Sequence, residues 1–300
     1  MKIKNQKNTL IVGLFLIIGV FLFYCFLPIY TTYYISANTE RVKFLSLDKN
    51  NSKVNLNNVT IWAEDTVPIL QSFTGTLDIN DSIDVTIERV GFGPATITFD
   101  GQKSVGNLSW ITLDGKEHIK ELSNYNEIDI NNIESEYRAG KSQIIRIDGN
   151  IDLGKKIDYE IKDESTAILK EGEINMIGKT KYISSNFEAS KKFLQIGDQF
   201  VINEPIGKGF GFVNFNENAG MTVSYRIMAK TAKIVKPGPI DALSSSDYEI
   251  KANILDRFKN DSKFSLLSII IGFILILTTI ITFTYDSINF FREPKVQKYN

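Results

Sequence analysis

Residues 83–99 read IDVTIERVGFGPATITF, and this stretch decides the fold class. Apolar and polar residues alternate over 83–88 and again over 95–99. A period of two is typical of a β-strand that buries one face. Glycine and proline occupy most of positions 91–94 between the two runs, where they favour a turn. The stretch therefore predicts a β-hairpin.

The same alternation continues through most of residues 52–236, and Asp-Gly pairs interrupt it. Both residues of such a pair tolerate a positive φ, so the pair favours a tight hairpin turn. These pairs lie at 100–101, 114–115 and 148–149. Many short strands at this spacing predict a mainly β fold, an antiparallel sandwich- or barrel-like domain over 31–262. A division into two subdomains near 138–141 stays open.

One helix is predicted at the end of this domain. Ser246 and Glu249 have the spacing of a capping box, in which each side chain accepts from a free amide of the first turn. The apolar residues that follow fall on one helical face: Ile250, Ile254, Leu255 and Phe258. The pattern predicts an amphipathic helix over 247–259.

Long apolar runs flank the domain on both sides. Residues 9–30 and 264–285 contain no charged side chain, and each is long enough to cross a bilayer as a helix. The first run exceeds the apolar core of a signal peptide, about 7–15 residues, so we expect it to be retained. We therefore predict two transmembrane helices, one on each side of the β-rich domain.

The charges of the short tails predict the orientation. Residues 1–8 carry Lys2, Lys4 and Lys7 without an acidic residue, and basic residues also outnumber acidic ones in 286–300. Short basic segments stay on the cytoplasmic side of a membrane. We expect two cytoplasmic tails, an extracytoplasmic domain and a two-pass protein of the cell (inner) membrane.

Composition argues against several functional classes. The net charge of -1 leaves no general attraction for nucleic acid. Cys25 lies in the first apolar run and is the only cysteine, so no intrachain disulfide can form. His118 is the only histidine, and the sequence has no phosphate-binding loop and no zinc-ligand spacing. We therefore predict neither enzymatic activity nor a cofactor.

Residues 208–215, KGFGFVNF, form the one motif that indicates a binding function. The string resembles the RNP1 segment of the RNA-recognition motif family at every defined position. The resemblance implies that Phe210 and Phe212 stack on bases and that Lys208 contacts phosphate. An ordinary strand of alternating Gly and Phe gives the same string, and an extracytoplasmic position argues against a nucleic acid partner. The candidate binding strand comprises Lys208, Phe210, Phe212 and Phe215.

Three functional hypotheses follow. The first is a membrane-anchored binding or scaffold protein, a subunit of a membrane or envelope complex that binds a protein partner or a second copy of itself. The second is a subunit of an oligomeric two-span channel, in which the hydroxyl groups of the second span contact the pore: Ser265, Ser268, Thr278 and Thr279. The third, RNA binding through the RNP1-like strand, requires the inverse topology.

Overall fold

The structure is a computed structural model, and it divides the chain into two compact units. The helical unit comprises Met1–Ile29, Lys179–Glu188 and Asn253–Asn300, and the sheet unit comprises Tyr30–Gly178 and Ala189–Ala252. The described residues are 27–46, 53–62, 68–112, 114–131, 133, 144–157, 167–180, 186–215, 218–237, 247–292 and isolated positions between 13 and 23.

The fold is mainly β, as predicted, and its strands form one large antiparallel sheet of 18 strands. The strands are β1 Ile29–Thr39, β2 Arg41–Leu45, β3 Lys53–Trp62, β4 Pro68–Ile79, β5 Asp84–Glu88, β6 Ala95–Asp100, β7 Gly106–Ile111, β8 Glu117–Leu122, β9 Tyr125–Ile130, β10 Ile144–Asp148, β11 Asn150–Leu153, β12 Leu169–Thr180, β13 Asn186–Glu188, β14 Lys192–Leu194, β15 Gln199–Pro205, β16 Phe210–Asn214, β17 Met221–Val235 and β18 Tyr248–Ile250. The described helices are α1 Ile254–Asn260 and α2 Ser262–Arg292.

Strand β17 lies at the centre of the C-terminal half of the sheet. One edge of β17 pairs with β1 and β18, and the other edge pairs with β16 and β15. The β15–β16 edge then pairs with β11 and β10. Strand β11 also pairs with β2 and so joins this half to the ladder β2–β5–β6–β9–β3–β4–β7–β8.

One hydrophobic core serves both halves of the sheet. Buried residues such as Val85 and Ile128 belong to the same cluster as Phe200, Val223 and Ile234. Alternate residues of most strands face this cluster, as the period of two requires. The predicted division near 138–141 falls outside the described residues.

The hairpin predicted from 83–99 is confirmed. Strands β5 and β6 pair from Asp84–Asp100 to Glu88–Thr96, and the amide of Gly93 donates to the carbonyl of Val90 at 3.1 Å in the turn. The Asp-Gly turn at 114–115 is confirmed too, because it joins β7 to its partner β8.

The other two Asp-Gly pairs do not reverse the chain between neighbouring strands. After Asp100 the chain leaves β6, which pairs with β5 and β9 and not with β7. At 148–149 the chain passes from β10 to β11, and both strands run along the same β15–β16 edge. Gly149 has φ +86, so its left-handed conformation kinks a continuing strand instead of turning it back.

The helix predicted over 247–259 is wrong in its first half. Tyr248–Ile250 is strand β18, because the open edge of β17 offers it a backbone ladder and Lys233 pairs with Asp247 at 2.9 Å. The helix starts at Ile254, where Asn253 and Asp256 form the capping box. Ser246, the predicted cap, lies outside the described residues.

Helix α2 contains the predicted span 264–285, and its segment Ser262–Tyr285 is long and apolar enough to cross a membrane. Half of the predicted first span, 9–30, lies outside the described residues, and described positions such as Gly13, Phe15 and Phe23 are helical. Strand β1 begins at Ile29, so any helix there ends earlier than predicted. The tail 1–8 and residues 293–300 also lie outside the described residues.

Candidate functional site

Strand β16 presents the two predicted phenylalanines to solvent. Phe210 and Phe212 are 40% and 43% exposed, whereas Gly211 and Val213 between and after them face inward. Phe215 is 1% exposed and belongs to the core. Lys208 is exposed in the loop before the strand. The candidate strand therefore exposes two aromatic rings, and Phe215 supports it from inside.

Two arginines extend this aromatic surface across neighbouring strands. The rings of Phe210 and Phe212 meet edge to face at 5.1 Å, and the guanidinium of Arg146 on β10 lies 4.5 Å from the centre of the Phe210 ring. Arg226 of β17 is the register partner of Phe210, and its guanidinium lies 5.2 Å from the ring of Tyr34 on β1. These five residues form the aromatic–arginine strip. It crosses four adjacent strands on one face of the sheet.

A buried tyrosine explains why glycine alternates with phenylalanine in β16. The Tyr225 hydroxyl donates a hydrogen bond to the carbonyl of Gly149, and its ring crosses the inner side of β16. A Cβ at Gly211 would lie 2.2 Å from the carbonyl oxygen of Ser224, and one at Gly209 would lie 2.2 Å from the Tyr225 hydroxyl. The glycines of the RNP1-like string thus have a packing role that requires no nucleic acid.

The Tyr225 hydroxyl is held in its protonated form. Burial raises the pKa of Tyr225, and the nearby charge of Asp148 raises it further. The hydroxyl therefore remains a hydrogen-bond donor throughout the physiological pH range, and it holds β16 against the kink at Gly149.

An open cleft of about 440 Å³ lies on the β1–β12 side of the strip. The same sheet face carries both features, since Thr222 lines the cleft two residues before Ser224, the register partner of Phe212. Lys191 borders the cleft by pairing with Glu173 and lying 5.2 Å from the Phe193 ring. The cleft is lined by Ser36, Ala37, Asn38, Glu171, Gly172, Glu173, Phe193, Leu194, Asn218 and Thr222.

The tip of the β5–β6 hairpin exposes further apolar surface. Phe92 is 74% exposed, although it stands on a firmly held turn. Buried Arg89 donates to the carbonyl of Gly93 at 3.2 Å and to that of Gly220 at 2.8 Å. The amide of Gly220 in turn donates to the carbonyl of Gly91 at 2.7 Å. These hydrogen bonds join the hairpin tip to the connection between β16 and β17.

Glu40 binds the same turn from the other side, and we call Arg89 and Glu40 with their hydrogen bonds the brace. Its carboxylate accepts from the amides of Gly91 and Ile168 at 2.9 and 3.3 Å, and it pairs with Lys170 at 3.1 Å. Burial acts to raise the pKa of Glu40, but these donors and the lysine charge outweigh burial and lower it below its ordinary value. The charged form of Glu40 therefore stabilises the fold.

The structure brings together residues that sequence patterns did not connect. Tyr34 and Arg146 lie far from Phe210 in the chain and come near it only through strand register, whereas Arg226 lies on the next strand. Alternation marks each of them as outward-facing, but it does not say which strands are neighbours. Among the described residues no group of three or more His, Cys, Asp or Glu side chains is placed to hold a metal ion.

Comparison of the chain with models of known protein families found no match, and comparison with curated protein sequences found none.

The packing of Tyr225 gives a prediction for stability. Gly211→Ala places a methyl group against backbone that cannot yield, and we expect it to lower the free energy of unfolding by about 2 kcal/mol or more. The outward substitution Phe212→Ala is the matched control, for which we expect a loss below about 1 kcal/mol. Thermal unfolding of the full chain, followed by circular dichroism, checks both. Equal losses would contradict the packing role of the glycine.

The brace at Glu40 predicts a dependence on pH. Because the folded-state pKa lies below the ordinary 4.5, the stabilisation is complete above that value and is lost as the pH falls through the folded-state pKa. We expect Glu40→Gln to lower the free energy of unfolding by about 1–3 kcal/mol near pH 7, and by less near pH 3.5. Glu88→Gln, which alters the half-exposed ion pair with Arg41, should cost less than about 1 kcal/mol. Urea unfolding at both pH values checks this, and a pH-independent loss would contradict it.

Proposed function

We propose that the protein is a membrane-anchored binding or scaffold subunit that engages a protein partner through the aromatic–arginine strip. The single observation that carries the proposal is the strip itself: three outward-facing rings, two of them exposed, and two guanidinium groups, held in register on four neighbouring strands. Aromatic residues and arginine are enriched in protein interfaces and in the few residues that contribute most binding energy.

The strip is ordered before a partner arrives. Arg146 rests on Phe210 and Arg226 rests on Tyr34, so these long side chains have already lost part of their rotamer freedom. Binding then costs less conformational entropy than it would with freely moving arginines. The charges of the strip itself are two guanidinium groups, which favours a partner surface that combines apolar and acidic side chains.

The exposed hairpin tip supports the same proposal. Phe92 adds an apolar side chain at the end of β16 and β17, because the turn is bonded to the connection between them. Its brace consists of buried charged groups, which favours a fixed shape over a mobile loop. A partner could contact the strip and the tip together.

We place the domain outside the cytoplasm of a two-pass protein in the cell (inner) membrane. Helix α2 supports membrane association, because its apolar segment is long enough to cross and much of its described surface is exposed. The basic charge of the short terminal segments supports the orientation.

The channel alternative gains no support from the α2 hydroxyl groups. Ser268 donates to the carbonyl of Phe264 at 2.8 Å, and Thr279 donates to that of Leu275 at 2.8 Å. Hydroxyl groups bonded to their own helix suit a lipid-facing surface as well as a pore. The channel and the RNA-binding hypotheses stay predictions, and the orientation of the domain decides the second.

The orientation predicts which positions an impermeant reagent can reach. With Cys25→Ser as background, Lys53→Cys in the sheet unit should react with a membrane-impermeant maleimide in intact cells. Asn8→Cys in the N-terminal tail is the matched control and should react only after lysis. Labelling of position 53 only after lysis would invert the topology and restore RNA as a possible partner.

Partner binding predicts a site-specific crosslink. Ser224 is exposed on β17, opposite Phe212. A photo-reactive p-benzoylphenylalanine at this position should therefore form a discrete adduct in cells. An adduct with twice the mass of the chain would identify a second copy as the partner. The substitutions Phe210→Ser and Phe212→Ser together should abolish the adduct, because they remove the apolar contact.

The β7–β8 hairpin provides the matched control for this experiment. Ile111 and Ile119 are also exposed apolar residues on adjacent strands, away from the strip. Replacing both with Ser should leave the adduct intact. Loss of the adduct in both double variants, or in neither, would refute the strip as the binding surface.

A further inference from the structure

Helix α1 has an apolar face that nothing within the described residues covers. Leu255 is 68% exposed, and Ile254 and Phe258 are also exposed. At about 100° per residue these three side chains share an arc of about 100°. Lys259 lies on the polar side of this arc, and Arg257 faces inward and is fully buried. The short helix is therefore amphipathic, with its apolar side outward.

A capped joint at Asp261, the elbow, connects α1 to α2. Asp261 is extended, with φ -90 and ψ 101, so the two helices are not one continuous rod. Its amide donates to the carbonyl of Arg257 at 2.9 Å and closes α1, while its carboxylate accepts from the amides of Lys263 and Phe264 at 3.1 and 3.3 Å and opens α2. One residue thus caps both helices and fixes the change of direction.

Aromatic contacts join the apolar face of α1 to the start of α2. The rings of Phe258 and Phe264 meet edge to face at 5.3 Å, and the guanidinium of Arg257 lies 4.6 Å from the Phe264 ring. Phe264 itself is buried, and Leu266, which is 59% exposed, is the first exposed apolar side chain of α2. The exposed face of α1 therefore borders the surface that would meet lipid if α2 crosses the membrane.

We propose that α1 lies in the membrane interface, with Leu255 and Phe258 among the upper acyl chains and with Lys259 and Lys263 at the headgroups. This rests on the proposed crossing of the membrane by α2. Amphipathic helices of this kind bury their apolar face about 5–10 Å into the boundary between headgroups and acyl chains. The exposed lysines favour contact with anionic headgroups. A protein partner on the apolar face would not require lysines at these positions.

The position of α1 also explains why the elbow is built from charged groups. Arg257 pairs with Asp261 at 3.5 Å, and both are almost completely buried. A helix that leaves the bilayer and turns along its surface must satisfy the backbone groups at the turn, because acyl chains offer no partners. The carboxylate of Asp261 does this at the start of α2 and keeps α1 from continuing the span.

Site-directed spin labelling of the full chain tests the proposal. In the Cys25→Ser background, single cysteines replace Leu255, Lys259 or Phe273, and the labelled protein is placed in vesicles of phosphatidylcholine with a minority of phosphatidylglycerol. Power saturation compares access by oxygen, which enters the bilayer, with access by a water-soluble nickel chelate. We expect an oxygen-to-nickel ratio several-fold higher at 255 than at 259, and highest at 273, in the middle of α2.

Every outcome decides the proposal. A low oxygen-to-nickel ratio at 255, as for a label in water, together with a high ratio at 273 overturns the interfacial position of α1 and leaves the span intact. A label at 255 that neither reagent reaches means that protein covers the face, either the N-terminal apolar run or another chain. A low oxygen-to-nickel ratio at 273 overturns the membrane span of α2, and with it the interfacial position of α1.

A second measurement tests the role of the lysines without changing the apolar face. Replacing Lys259 and Lys263 with Glu should lower the oxygen-to-nickel ratio at 255 in the vesicles that contain phosphatidylglycerol, because the carboxylates are repelled by anionic headgroups. In pure phosphatidylcholine the same change should have a smaller effect. An equal effect in both lipids would overturn the headgroup contact.

Discussion

The pairing of β17 with four other strands is the constraint on which the sheet unit depends. Its outward residues contribute Arg226 to the strip, and its inward residues contribute Val223, Tyr225 and Ile227 to the core. A slip of one residue would exchange these two sets. Tyr225 opposes such a slip, since its ring packs beside Gly209 and Gly211 and its hydroxyl donates to the carbonyl of Gly149. The geometry of the strip is thus a consequence of core packing.

The braced hairpin shows the same dependence of an exposed feature on a buried one. Phe92 has little contact of its own to order it, yet Arg89 and Glu40 bind the backbone on both sides of the turn. Burying two charged groups has a desolvation cost that good geometry offsets only in part. Compared with apolar residues of similar volume such a network adds little net stability, but it leaves the hairpin few alternative conformations. The network therefore fixes the position of the tip, and the loss of one member such as Glu40 destabilises the fold because the remaining buried groups lose a partner.

Sequence patterns predicted what depends on local spacing. The hairpin at 83–99, the turn at 114–115 and the exposed phenylalanines of β16 all follow from alternation and turn residues. The kink at 148–149 has the same Asp-Gly signal as a hairpin, and only pairing with β15 and β16 distinguishes the two. The capping signal at 246–249 likewise predicted a helix, but residues 248–250 pair with the open edge of β17 and form a strand.

The strip itself was beyond the reach of such patterns. Arg146 approaches Phe210 across an interstrand register, and Arg226 approaches Tyr34 across another. Each contact joins residues that are separated by a long stretch of chain, and the separation carries no information about register. A single sequence therefore shows that outward arginines and aromatic residues exist on separate strands. It does not show that they stack on one another.

Exposed aromatic rings on a β-sheet have a cost, because unpaired apolar surface promotes aggregation. The two arginines reduce this cost in the free protein: each covers part of a ring while its charge remains hydrated. The strip can therefore stay exposed in the free protein. If α2 and α1 hold the chain at a membrane, a partner in the same membrane meets the strip at a high effective concentration. A surface of modest intrinsic affinity would then suffice for binding, and a strip of three rings and two guanidinium groups is a surface of that size.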